Sequence, residues 1–139
     1  MAESIFTKII NRDIPGHFVY EDEIVVAILD INPISKGHTL VIPKQPFVNA
    51  LDGEENQLAH MMKVAKKLSP IIMEAVKADG CNITMNNGEA AGQEVFHAHM
   101  HIIPRHTDDG VFPPAVRCDC YEDNEAAALA TQINAAVEG

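Results

Sequence analysis

His97, His99 and His101 stand at alternate positions in the run Phe96-His97-Ala98-His99-Met100-His101-Ile102-Ile103-Pro104, three of the chain's seven histidines within five residues. In an extended strand, successive side chains point to opposite faces. The spacing therefore predicts three imidazoles on one face, with Phe96, Ala98, Met100 and Ile102 packing the other. Pro104 has no backbone N–H and marks the strand's end or an edge. Imidazole titrates near neutrality, at a pKa of about 6.5, so its free base is abundant and can attack phosphorus. A central histidine flanked by two others has neighbours that can orient it, donate to phosphate oxygens and protonate a leaving group. The same pattern also admits a metal, because His-x-His on a strand can supply two zinc ligands. No further ligand set and no carboxylate stands at the matching alternation.

The segment just upstream favours phosphate chemistry. Asn86, Gly88, Gly92 and Gln93 lie before His97. Glycines let backbone N–H groups approach an anion closely, and the amides of Asn and Gln add donors. The chain as a whole is acidic, with a formal charge of -10 over 139 residues. That excludes broad binding to nucleic-acid backbones, which needs a basic footprint, but not capture of one small anion by local donors. From His106 onward, Arg117 is the only basic residue against seven Asp or Glu.

The elements that must position these residues read as follows. Ser4 caps a short helix over residues 4–11, with Ile5, Phe6, Ile9 and Ile10 clustered on one side. Strands are expected at Phe18–Tyr20, Ile24–Leu29, His38–Pro43, Cys81–Asn86 and along the histidine run. The first three, joined by short turns, suggest an antiparallel meander. A long helical segment spans Asp52 to Ala78, with a capping-box-like start at Asp52 and Glu55. Pro70 predicts a kink, or a second start capped by Ser69, and Gly80 suits the C-terminal stop. Met61, Met62 and Leu68 form an apolar face suited to an interface. After an irregular stretch containing Pro113 and Pro114, Asn124 caps a last helix through Leu129, Ile133 and Val137. The fold class is α+β: a five-stranded antiparallel sheet with one long helix and short flanking helices. Residues 1–105 form its core and 106–139 an acidic extension packed on the same domain. The odd set Cys81, Cys118 and Cys120 suggests reduced thiols. With no secretory signal pattern and no membrane-length apolar run, a cytoplasmic protein without membrane contact is expected.

His97-Ala98-His99-Met100-His101-Ile102-Ile103 matches the signature His-φ-His-φ-His-φ-φ, where φ is apolar. With Ser4–Ile10, Ile14-Pro15, Asp30–Pro33, Gly37–Lys44 and Gly92–Phe96, it resembles the Hint-like branch of the histidine triad (HIT) family. The resemblance covers roughly residues 4–105. It implies binding of a purine nucleotide, an AMP or GMP derivative, and cleavage at the α-phosphorus through a nucleotidyl-histidine intermediate. His99 would be the nucleophile. His97 and His101 would orient it and contact phosphate or the leaving group, supported by His38. Asp30 would hold the ribose hydroxyls, while Asn86 and the backbone around Gln93, Glu94 and Val95 would bind phosphate. Ile5, Phe6, Ile9, Ile28, Leu29 and Ile31 would surround the base. The resemblance further implies a homodimer joining two sheets.

The activity it implies is nucleoside phosphoramidate hydrolysis. The alternatives are dinucleoside polyphosphate hydrolysis and a nucleotide-binding scaffold with little catalysis. Many bacterial relatives hold a structural zinc through two cysteines and a histidine, where this chain has Ser4, Thr7 and Pro46. No metal and no cofactor are therefore expected. Glu94 stands where such relatives usually carry a serine that helps protonate the leaving group. The tail after His106 does not match the short eukaryotic ending that influences substrate choice.

Overall fold

Every residue of Val25–Leu29 is apolar, and the reason is that the strand it forms is covered on both faces. A computed structural model describes residues 3–112 and 117–139. The irregular stretch expected at Pro113 and Pro114 includes residues outside that description. In chain order the elements are α1 (Ile5–Ile10), β1 (Phe18–Glu21), β2 (Val25–Leu29), β3 (Thr39–Pro43), α2 (Glu55–Val76), β4 (Gly80–Thr84), β5 (Met100–Arg105) and α3 (Glu125–Glu138), with a 3₁₀ turn at Glu89–Ala91. All strand pairs are antiparallel, and their order across the sheet is β1-β2-β3-β5-β4. The meander therefore holds for β1 to β3. The connection through α2 then places β4 at the far edge, and β5 returns to fill the gap between β3 and β4.

Alternation along β2 divides the core. Val25 and Ala27, with Val41 of β3 and Ile102 of β5, meet Met61, Val64, Ala65, Leu68 and Ile72 of α2. Val26 and Ile28, with Leu40 and Ile42, meet Phe6 and Ile9 of α1 on the opposite face. Met61 and Leu68 are thus core residues, and only Met62 of the expected interface face is exposed.

α2 runs unbroken through Pro70. Ser69 starts no second helix: its hydroxyl donates back to the Ala65 carbonyl at 2.6 Å. Asp52 is no capping box either, since its carboxylate accepts from the N–H groups of Val48 and Asn49 in the preceding turn. Lys77, in the left-handed region, ends the helix, and Gly80 opens β4.

The histidine run is only partly a strand. β5 begins at Met100, so His97 and His99 lie in the irregular segment before it. Phe96 is half-exposed instead of packing the core, whereas Ala98 is buried. Pro104 sits inside β5 without harm. Pairing with β3 ends at Ile102, and the Pro104 carbonyl accepts from the Ser35 hydroxyl at 2.7 Å. The sulfur atoms of Cys118 and Cys120 are placed against each other, while Cys81 is free. The start of the extension is tied to the core, with His106 Nε2 donating to the Val76 carbonyl at 3.1 Å and the Thr107 N–H donating to Asp79 at 2.9 Å. All described residues from 117 to 139 are exposed, and α3 buries none of its side chains. Among the described residues, no helix is long and apolar enough to cross a membrane.

Gly37 makes the close turn that delivers His38 to β3. Its φ is +91°, and a Cβ there would meet Val76 Cγ1 at 3.0 Å and Pro104 Cγ at 3.3 Å. Gly37→Ala should destabilise the fold by about 1–3 kcal/mol. Urea unfolding should read this as a lower midpoint with unchanged slope.

Candidate active site

His101 is the one triad histidine carried by the sheet itself. It lies opposite Leu40 in β3 and Thr84 in β4, and points to the α1 face. His38, just before β3, lies on the same face, and its Nε2 and the His101 Nδ1 are 2.9 Å apart. The far nitrogen of His38, Nδ1, accepts the Ile34 N–H at 3.0 Å. That nitrogen must be unprotonated, so the His38 proton is on Nε2 and is donated to His101 Nδ1. In the neutral ring, His101 then carries its own proton on Nε2.

The same reasoning assigns the other two rings. His97 is fully buried, and its Nε2 donates to the Pro43 carbonyl at 2.9 Å. Its Nδ1 accepts from the Ser4 hydroxyl at 2.6 Å, with Thr7 Oγ1 at 3.4 Å. Ser4 also caps α1 by accepting the Thr7 N–H at 3.1 Å, so one side chain ties the first helix to the triad. His99 Nδ1 donates to the His97 carbonyl at 2.8 Å. Its Nε2 keeps the lone pair, and the edge of Phe6 packs 4.9 Å from the ring, centroid to centroid.

These imidazoles are neutral at pH 7. Burial lowers the pKa of His38, His97 and His99 below the ordinary value, because charging them would forfeit hydration. For His101, burial and then the neighbouring His99 and His38 push it down to about 4, against the pull of Asp30.

A cavity of about 300 Å³ opens in front of His99 and His101. Of the expected ligand-binding residues, Ile5, Phe6, Ile9, Ile28, Leu29, Asp30, Ile31, Asn86, Glu94 and Val95 all line it. Ile14, Pro15, Gly16, Asn32, Leu40 and Gly92 complete the wall. Sequence reasoning did not name Ile14, Pro15, Gly16, Asn32 or Leu40 as site residues, although the first three form the turn that follows α1. Among the described residues, no lysine or arginine lines the cavity. One oxygen of Asp30 accepts the Asn32 N–H at 2.9 Å, while the other lies 3.8 Å from His38 Nδ1.

Three expected residues lie outside this lining. His38 stands behind His101. His97 is sealed between Ser4 and Pro43, so it can orient its neighbour but cannot touch a phosphate in this arrangement. Gln93 is buried, and its amide donates to the carbonyls of Val48 and Val95 while its oxygen accepts from Asn49 and the Gly88 N–H. Its side chain thus holds the Gly88–Gly92 loop in shape, and only its backbone is left for an anion. The Ser4–Thr7–His97 link went unread because a Ser at that position is fully accounted for as a helix cap.

Asp30, His38 and His101 offer donor atoms within 4.8 Å of one another, as a cation site would. However, the His38 Nδ1 lone pair is taken by Ile34. The facing nitrogens of His38 and His101 are joined by a hydrogen bond. Only the Asp30 carboxylate and the outer nitrogen of His101 remain, fewer than a zinc site uses.

The model of the HIT domain matches residues 11–108. The chain is 50% identical over 106 residues to an uncharacterized HIT-like protein of Methanocaldococcus jannaschii, covering 76% of this chain and 81% of that one. It is 42% identical over 104 residues to the purine nucleoside phosphoramidase of Escherichia coli, covering 73% of this chain and 86% of that one. A crystal structure of a protein from Streptococcus mutans, 42% identical, superposes with a TM-score of 0.90 over 99% of this chain and 87% of that chain.

The depressed histidine values fix a direction for acid sensitivity. Below its unfolded value of about 6.5, each histidine binds a proton more readily in the unfolded chain. The stability contributed by neutral His101 is therefore complete above about pH 6.5 and is lost as pH falls towards about 4. The thermal midpoint should fall across that window. NMR titration should keep the His101 ring neutral until the bottom of it.

Proposed function

The chain belongs to the HIT family, and on that premise we propose that it is a nucleotide hydrolase acting on purine nucleoside phosphoramidates. His99 carries the proposal. Its Nδ1–H is committed to the His97 carbonyl, so the Nε2 lone pair is the free one, and the ring borders the cavity. An apolar slot from α1 and β2 suits a base, and the Asp30 carboxylate can accept from ribose hydroxyls.

In the proposed reaction, His99 Nε2 attacks the α-phosphorus. A P–N bond to the ring forms as the bond to the leaving group breaks with its electron pair. A leaving amine takes a proton from water at the open side of the site. The ring, now bonded to phosphorus at one nitrogen and protonated at the other, is cationic. The His97 carbonyl on Nδ1–H and the nearby Asp30 favour that charge. Water then attacks phosphorus and loses a proton to solvent. The P–Nε2 bond breaks, returning neutral His99 and a nucleoside monophosphate. His101 presents its Nε2–H to a phosphate oxygen, held in that tautomer by His38. The name of the Escherichia coli relative supports the choice of phosphoramidate. A second copy is proposed to join on the open edge of β4, the strand at that end of the sheet.

His99→Gly should reduce nucleotide release by at least about 10³-fold while still binding a nucleoside monophosphate. A side-by-side turnover assay on an adenosine phosphoramidate and a diadenosine polyphosphate tests the reading. Release of no nucleotide by the wild type from either would overturn it. Because burial lowers the His99 pKa, the acid limb of kcat/KM should lie below pH 6.5.

A further inference from the structure

Glu94 lies on the rim where the nucleotide cavity meets a second, open depression. It lines both, together with Ile5 and Val95. The depression continues past Glu3 and Ser4 to Val48 and Phe96. Its walls are apolar with two carboxylates, and among the described residues no lysine or arginine lines either hollow. Glu94 is exposed, and its carboxylate takes part in none of the ion pairs formed by the described residues. Among the described residues no cation pairs with it, so its field acts on whatever occupies the rim.

The position says what that occupant is. A base in the apolar slot and a phosphorus before His99 together fill the first cavity. The group departing from phosphorus must extend away from the nucleoside, and the hollow adjoining the cavity on the Glu94 side is the second one. We propose that Glu94 is a specificity-determining residue for the leaving group. It selects a cationic amine on a short aliphatic stem and rejects an anionic phosphate or carboxylate. The stem would lie along Val48, Val95 and Phe96, with the charge near Glu94 and Glu3. This inference rests on the hydrolase reading above and deepens it. The bonds made and broken are those already given; only the charge of the departing amine is specified.

The chemistry sets the size of the effect. A unit charge within about 6 Å of Glu94, partly screened by water, changes transition-state binding by about tenfold. The test uses adenosine phosphoramidates whose leaving amines are matched in length but end in an ammonium, a methyl or a carboxylate, with a diadenosine polyphosphate alongside. For the wild type, kcat/KM should fall in that order, about tenfold between the ammonium and methyl substrates. The spread should shrink as salt is raised. Glu94→Gln should compress the order, and Glu94→Lys should reverse it so that the carboxylate and polyphosphate substrates gain. If the wild type turns over these substrates but its order survives unchanged in both variants, Glu94 does not select the leaving group. If the wild type cleaves none of them, the failure lies with the hydrolase reading instead.

Discussion

The hydrogen bond from His99 Nδ1–H to the His97 carbonyl, 2.8 Å long, is the contact on which the site depends. It settles which nitrogen of His99 is free. A carbonyl can only accept, so the ring proton stays on Nδ1. The bond spans two residues of the same segment, so it survives only if that segment is held still. His97 provides the hold by burying its ring against the Pro43 carbonyl on one side and the Ser4 hydroxyl on the other. Ser4 is at the same time the cap of α1, the helix that supplies Phe6 and Ile9 to the cavity wall. His99, the cavity wall and the first helix are therefore one mechanical unit.

A row of buried imidazoles is expensive unless each nitrogen finds a partner. Here the row is satisfied by neutral tautomers alone: Ile34 N–H to His38, His38 to His101, Ser4 to His97, His97 to Pro43. No positive charge is needed to complete the network, and burial with mutual proximity disfavours one. In the proposed reaction this leaves His99 as a free base at neutral pH, while its cationic intermediate is eased by a carbonyl and by Asp30. Among the described residues no lysine or arginine lines the cavity, so in the proposed reaction the phosphate would be held through neutral donors.

The histidine alternation and the five strands were legible in the sequence because each depends on local pattern, whereas Asp30 and the apolar residues now seen to line the cavity were named only through the family resemblance. β2 and β3 announce themselves by apolar runs, and His97, His99 and His101 by alternation. The alternation nevertheless misled in part. His97 and His99 precede β5, and Phe96 faces outward, because segment 94–99 is shaped by the Gln93 amide donating to the Val48 carbonyl and by the Ala98 N–H donating to the Phe47 carbonyl, which are long-range bonds. Gln93 looked like an anion donor and is instead a buried brace. Met61 and Leu68 looked like an interface and are core, since amphipathic spacing shows that a helix has an apolar face but not what covers it.

The sequence by itself determined the residue types of the chemistry, the strands that carry them and the α+β class, since side-chain period and apolar runs are properties of neighbours along the chain. Tertiary structure decided which histidine is sealed, which is braced and which faces the cavity. It also decided that β5 lies between β3 and β4, that Ser4 reaches His97 across 93 residues, and that Glu94 stands at the junction of two hollows. Those outcomes depend on burial and on hydrogen-bond partners brought together by folding. A proton's place on an imidazole is set by its partner in space, which the local spacing of residues does not specify.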